Sequence, residues 1–365
     1  MMPRLRILWL CKARYMNHDV IDDRYARLFE LPNSLGKKQP VASFCLDYRL
    51  TKSTPVNNDL KGNWHRSSIP RTFFIGWFLV LIAYARQVRP QCVIASSDCL
   101  HIILGGLVSR LFGARFYADL YDDYSTFGLA KIPGMRWLYW RALARADGIF
   151  TVSRTLGCDI EKQYPGKPVL VLESTIDAGL FYPQDKAESR KLLGLDRLKG
   201  KKLVGVCGGL NALHGADIVF DSFAQIAEHD SDVVFVVAGN LFDECPLPDR
   251  EDVEYLGMLP HTQMSYFFSA LDVAVVALSN TRFGYYAFPQ KAYEVLACGV
   301  PVAAADVGAL SLLFEDLTDA LYDPDSPASL TDTVIQQLDA RVLLNVDIPT
   351  WDEQADKLSD FIQAA

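Results

Sequence analysis

The chain has 365 residues, half of them hydrophobic and 22% charged, which suits two domains of ordinary size and excludes a disordered or low-complexity chain. Its formal net charge of −8 lacks the basic excess of a nucleic-acid binder. The charge is split, +9 over residues 1–183 and −17 over residues 184–365, so the halves are expected to meet different partners.

Short apolar runs alternate with longer amphipathic ones. In the first half strands are expected at 5–11, 41–46, 92–95, 115–120, 148–152 and 169–173, and helices near 22–36, 72–87, 101–112, 135–146 and 154–163. In the second half strands are expected at 202–207, 233–238, 253–256, 273–277 and 300–304. Helices follow near 215–228, 263–270, 289–298, 308–314, 327–339 and 351–363. Strands apolar on both faces belong to parallel sheets covered by helices, and the alternation reads as βαβ units. The expected fold is α/β, with two Rossmann-like doubly wound domains, 1–183 and 184–348, facing a central cleft. A last helix within 349–365 is expected to cross back to the first domain. Periodicity breaks around 174–184, the expected joint.

None of the eight cysteines forms a C-x-x-C pair, and most lie in apolar runs. Buried free thiols in a reducing cytosol are expected, without zinc or disulfides. The N-terminal sequence has no small-residue cleavage site, so no signal peptide is expected. Phe73 to Ala85 are thirteen uncharged residues, short of the roughly 20 a membrane span needs. They read as a buried helix, with a shallow membrane contact as the alternative; in that alternative Trp77→Glu would abolish vesicle binding without loss of folding.

Two strand–loop–helix units carry the chemistry. The first is strand 202–207 followed by Gly208-Gly209-Leu210-Asn211-Ala212-Leu213-His214-Gly215 and a helix. Glycines there let a ligand approach the backbone, and the helix start offers amides to phosphate. The second runs from Asn280-Thr281-Arg282-Phe283-Gly284 through Phe288-Pro289-Gln290-Lys291-Ala292-Tyr293-Glu294 to Cys298-Gly299-Val300-Pro301-Val302. Lys291 and Glu294 share a helix face: a carboxylate can accept from both ribose hydroxyls, and an ammonium can meet a phosphate. No G-x-G-x-x-G and no G-x-x-x-x-G-K-[ST] occurs, which disfavours a Rossmann oxidoreductase.

Together these units resemble the nucleotide-binding half of the retaining GT-B glycosyltransferases of the glycosyl transferases group 1 type. The resemblance extends to Val253-Glu254-Tyr255-Leu256-Gly257, like the family's base-binding strand, and to Ser174-Thr175-Ile176-Asp177, like its interdomain linker. It implies a metal-independent transfer of a sugar from a nucleotide-sugar donor to a saccharide or lipid-linked acceptor, in polysaccharide or glycoconjugate biosynthesis. No cofactor is implied, because the nucleotide-sugar is a substrate. The residues themselves give a cytoplasmic location, with peripheral contact at the inner membrane face through the basic first domain as the alternative. A nucleotide-sugar isomerase of the same architecture and a catalytically degenerate nucleotide-sugar-binding subunit stay open.

By position, the resemblance gives Glu294 the donor ribose and Lys291, Arg282, Phe283 and Gly284 the diphosphate. Gly208, Gly209, Asn211, His214 and Gly215 line the donor from the other side, and Leu256 meets the base. Lys291, Glu294 and Asp122 are the expected catalytic residues. Relatives usually carry an Arg at the position of Gly209, a Lys or Arg at that of His214, and an acid at that of Tyr286. Donor affinity is therefore expected to weaken as His214 deprotonates. In the first domain Lys12, Arg14 and Tyr15 follow the first strand and suggest an anionic acceptor. Asp98, Asp119 and Tyr121 complete the expected acceptor contacts, Tyr121-Asp122 standing where relatives place His-Asp; for Asp98 with His101 a helix cap is the favoured reading, and for Asp119 and Asp122 a turn is the alternative.

Overall fold

The computed structural model describes residues 4–15, 18–24, 26–49, 63–68, 74–126 and 128–364, with Phe74 and Ile75 as backbone only. Phe73, at the head of the apolar run, lies outside the described residues. The chain forms two compact units, one reaching Ser174 and resuming at Trp351, the other spanning Thr175–Thr350.

In the first unit the elements are β1 (Ile7–Lys12), β2 (Arg14–Tyr15), β3 (His18–Asp19), α1 (Ala26–Gly36), β4 (Val41–Asp47), β5 (Trp64–Ser68) and α2 (Phe74–Val88). Then come β6 (Cys92–Ala95), α3 (Cys99–Phe112), β7 (Arg115–Leu120), α4 (Met135–Arg145), β8 (Gly148–Thr151), α5 (Arg154–Gln163) and β9 (Val169–Val171). Seven strands form a parallel sheet in the order β5-β4-β1-β6-β7-β8-β9, and β2 and β3 make a small antiparallel ribbon. β1 and β6 are neighbours from which the chain winds outward in opposite directions. That is a topological switch point, where the carboxyl ends of the strands leave a crevice.

The second unit contains α6 (Lys186–Leu192), β10 (Lys202–Leu210), α7 (Ala216–His229), β11 (Val233–Leu241), β12 (Val253–Tyr255), α8 (Met264–Ala270) and β13 (Val273–Val276). It continues with α9 (Arg282–Tyr286), α10 (Lys291–Ala297), β14 (Val302–Ala305), α11 (Ala309–Leu313), β15 (Leu321–Tyr322) and α12 (Pro327–Ala340). Its parallel sheet runs β12-β11-β10-β13-β14-β15, with the switch point between β10 and β13. Residues Val233–Ala238 are buried without alternation, because helices cover both faces of the sheet.

Three expectations are corrected here. The joint falls inside the expected 174–184 stretch but at its start, 174/175, rather than at the domain bound of 183/184, because Ile176 and Phe181 are buried in the core of the second unit. Gly208 and Gly209 do not form the turn: they extend β10 and pair with Gly239 and Asn240 of β11, and the turn is at Asn211–Gly215. Trp77 is only 1% exposed and packs near Phe44, so Trp77→Glu would disrupt the core rather than probe a surface.

The final helix, α13 (Trp351–Ala364), packs on α1 within the first unit. Its buried stripe, Trp351, Ala355, Leu358 and Ile362, has helical spacing and joins the core of Leu28, Phe29, Leu31 and Leu35. Lys37 pairs with Asp352, Lys38 with Asp356, and the Tyr117 hydroxyl donates to the Ile362 carbonyl. All eight cysteines are free; seven are buried and Cys158 is exposed.

Candidate functional site

At the β10/β13 switch point the second unit gathers several of the expected donor residues. Gly208 has φ 119°, and a Cβ there would collide with the Lys291 ammonium. Gly239, with φ 126°, lies against the Gly208 carbonyl just as closely. Only residues without a Cβ allow this approach. The Lys291 Nζ donates to the Cys207 carbonyl at 2.7 Å, which leaves its two other N–H groups for a ligand. The His214 ring lies 3.6 Å from where a Cβ on Gly209 would be, an ordinary van der Waals contact, and meets Phe283 edge-on at 5.4 Å. A cavity of about 20 Å³ is lined by Gly209, His214, Pro289 and Lys291 among others.

The electrostatics correct the reading of His214. Asn211 Oδ1 accepts the His214 backbone N–H at 3.0 Å and lies 2.7 Å from Nδ1. It is therefore the acceptor in both bonds, and Nδ1 carries the ring proton. Burial, and then the charge of Lys291, push His214 down to about 4. The imidazole is then neutral from pH 5.5 to 8 and presents Nε2 as an acceptor. It supplies no positive charge to titrate in that window.

Glu294, 8% exposed, is pushed up to about 7 by burial, against the pull of Lys291. Gln290 Nε2 donates to its Oε1 at 3.5 Å, and His261 Nε2 lies 4.0 Å from the same oxygen. Sequence reasoning missed both neighbours. The four-residue spacing of Gln290 and Glu294 was a usable signal; nothing in the pattern marks His261. Gly215 caps the short turn and Gly284 is buried in α9. Arg282 is exposed, its guanidinium over the Tyr286 ring at 5.4 Å. Leu256 follows β12 on the same carboxyl edge, its N–H donating to Val237.

The first unit gathers a second group at the β1/β6 switch point. Lys12 ends β1, its N–H donating to Ser97 Oγ at 3.1 Å and its ammonium lying 5.4 Å from the centre of the Tyr15 ring. Tyr15 and Tyr121 meet edge-on at 5.4 Å. Burial lowers Lys12 despite Asp98 and Asp122, and burial raises Asp122 to about 6 despite a bond from the Asp123 amide. Ser97, at φ 94°, holds a strained backbone between Lys12 and the Tyr124 hydroxyl; sequence reasoning gave no sign of it.

Three acceptor expectations are corrected. Asp119 is 0% exposed, and Arg27 and Ser96 Oγ occupy its carboxylate. Arg14 faces Asp19 and Asp47 at 3.7 and 3.9 Å, carboxylates that Arg66 and Arg49 hold more closely, so it sits in an ion-pair network rather than alone at the strand end. Asp98 caps α3 and binds His101 Nδ1 at 2.9 Å and the Tyr48 hydroxyl at 2.7 Å. Burial opposes that charge, yet His101 and Tyr48 hold Asp98 well below the usual carboxylate range.

Residues 201–340 match the family model described as Glycosyl transferases group 1. The D-inositol 3-phosphate glycosyltransferase of Segniliparus rotundus is 27% identical over 199 residues, 51% of this chain and 43% of that protein. The lipopolysaccharide core biosynthesis mannosyltransferase LpsB of Rhizobium meliloti is 33% identical over 163 residues, 41% of this chain and 44% of that protein. The chain thus spans less than half the length of either relative. The crystal structure of Anabaena HepE in complex with UDP-glucose matches 98% of this chain and 94% of that one, with a TM-score of 0.67 and 15% identity. That likeness is one of fold, and the fold is GT-B. The chain thus carries, at residues 201–340, a domain that matches the glycosyl transferases group 1 model.

Proposed function

We propose that the protein is a retaining glycosyltransferase that moves a sugar from a nucleotide-sugar, of the UDP-sugar class, to a saccharide or lipid-linked acceptor. The observation that carries this reading is the cluster at the β10/β13 switch point: Lys291 against Gly208, with His214 and Phe283 beside it. Glu294 follows one helical turn on and is assigned the ribose hydroxyls. Lys291 takes the departing diphosphate, and the extended backbone at Gly208 and Gly209 lets it approach. Charge developing on the leaving group is stabilised by this fixed ammonium and by amides. In the retaining course the acceptor hydroxyl attacks from the face the diphosphate leaves. Its proton passes to that diphosphate.

In the first unit, Asp122 is assigned a sugar or acceptor hydroxyl, while Lys12, Tyr15 and Tyr121 form the acceptor surface. No metal or organic cofactor is assigned a step. Among the described residues no group of three His, Cys, Asp or Glu side chains is placed to hold a metal ion. Polysaccharide or glycoconjugate biosynthesis in the cytoplasm is the setting this chemistry suits. The names of the two curated relatives, a glycosyltransferase and a mannosyltransferase, support it.

The test is a panel of UDP-, GDP-, ADP- and CMP-sugars, read by thermal shift and by slow donor hydrolysis. UDP-sugars are expected to raise Tm and to release UDP with retained anomeric configuration. Stabilisation without hydrolysis or transfer would identify a binding subunit instead. Conversion of donor alone to an isomer would identify an isomerase.

A further inference from the structure

The helices α2, α3 and α4 connect β5 to β6, β6 to β7 and β7 to β8, all moving the same way across the first sheet. Right-handed crossovers therefore place the three on one face, where α5, crossing from β8 to β9 the same way, adds Asp159 and Glu161 beside Arg154 and Lys162; α3 packs beside α4. The sequences of α2, α3 and α4 contain five arginines, Arg86, Arg110, Arg136, Arg141 and Arg145, and no Asp or Glu. The opposite face carries α1 and α13, and α13 alone has four carboxylates.

The outer surface of these three helices is apolar as well as basic. Tyr139, Ala142 and Leu143 turn α4 inward, which leaves Trp137 56% and Trp140 37% exposed beside exposed Leu138. Arg141 stacks over the Trp137 ring at 4.6 Å, and Arg136 over Trp140 at 4.9 Å. Ile132 just before α4, Leu107 and Leu111 on α3, and Leu79 and Val80 on α2 are also exposed. No helix among the described residues is long and apolar enough to cross a membrane.

We propose that this face, led by α4, seats the first unit on an anionic phospholipid surface. Tryptophan favours the headgroup level, where its ring is buried and its N–H stays wet. Arginine stems lie along such rings while their guanidinium groups reach lipid phosphate. The absence of carboxylates from these three helices leaves Asp159 and Glu161 of α5, offset by Arg154 and Lys162, as the acids of the helices on this face and so lowers the repulsion from an anionic leaflet. The contact expected at Trp77 is thereby reassigned from the buried side of α2 to the outer surface of α3 and α4.

The molecule carries its own probe. Of its six tryptophans, Trp9, Trp64, Trp77 and Trp351 are buried, so a change of emission on binding reports Trp137 and Trp140. The full chain is floated with vesicles of phosphatidylcholine alone, or with about 30% phosphatidylglycerol, at low salt. We expect binding to the anionic vesicles only, a blue shift, quenching by brominated lipid, and weakening by salt. Arg141→Glu with Arg145→Glu should weaken partition about tenfold or more. Trp137→Ser with Trp140→Ser should abolish the shift while Tm and UDP binding are retained; if that pair fails to fold, the arginine pair and lipid quenching of the wild type decide. No binding to anionic vesicles at low salt, unchanged partition in the variants, or a concentration-dependent dimer broken by the tryptophan pair without vesicle binding would each overturn the proposal.

Discussion

At Glu294 a single carboxylate is buried enough to titrate near 7 while the ligand assigned to it donates hydroxyls. Hydroxyl donors stabilise the ionised form, so binding should lower its pKa. UDP-glucose affinity is then expected to be greatest above pH 7 and to fall below it, by up to about tenfold per pH unit. The diphosphate of UDP-glucose does not titrate there, and Glu294→Gln should flatten the profile. His214→Ala should leave the shape of the profile unchanged between pH 5.5 and 8, because the ring is already neutral. Calorimetric titration of the three proteins checks both points; a slope that survives Glu294→Gln would refute the assignment. Lys291 and Glu294 were legible as a shared helix face. The 2.7 Å bond from Lys291 to the Cys207 carbonyl was not, because it joins residues on separate elements. Asp119 was misread for a related reason: its partner Arg27 lies far away in sequence, and an aspartate at a strand end looks the same whether it faces ligand or core.

Elements were legible where burial forces a pattern. β6 and the Val233–Ala238 stretch of β11 are apolar throughout because both sheet faces are covered. The edge strand β5, Trp-His-Arg-Ser-Ser, has no such run, and β15 is only two residues long, so neither stands out. Nor does apolar content show that β10 continues through its glycines. One link between elements lies outside any pattern. Arg27 of α1 donates to Asp119 of β7 at 2.8 Å and to the Leu172 carbonyl beyond β9 at 2.5 Å. Arg27→Met would leave the Asp119 carboxylate buried without its cation, a loss of about 3–5 kcal/mol. Urea unfolding of the first-unit transition checks it; a loss under about 1 kcal/mol would mean that the pair is solvated in solution.

Across the whole molecule, charge follows the observed units: +7 for residues 1–174 with 351–365, and −15 for residues 175–350. The proposed donor is an anion assigned to the acidic unit, so its phosphates depend on local groups such as Lys291 rather than on the field of that unit. The positive sum of the first unit hides a sharper division, with the arginine-bearing, acid-free α2, α3 and α4 on one side of its sheet and acidic α13 on the other. Leu358→Ala should cost about 2–5 kcal/mol and act on the first-unit transition, although residue 358 follows the second unit in the chain. A melt in which the second unit responded instead would contradict the packing of α13 on α1. The placement of α13 also bears on how the protein is made. A ribosome completes β1–β9 early but releases the helix that covers α1 only after the entire second unit. Through that interval Leu28, Phe29 and Leu35 lack their cover, so the first unit matures last although it is synthesised first.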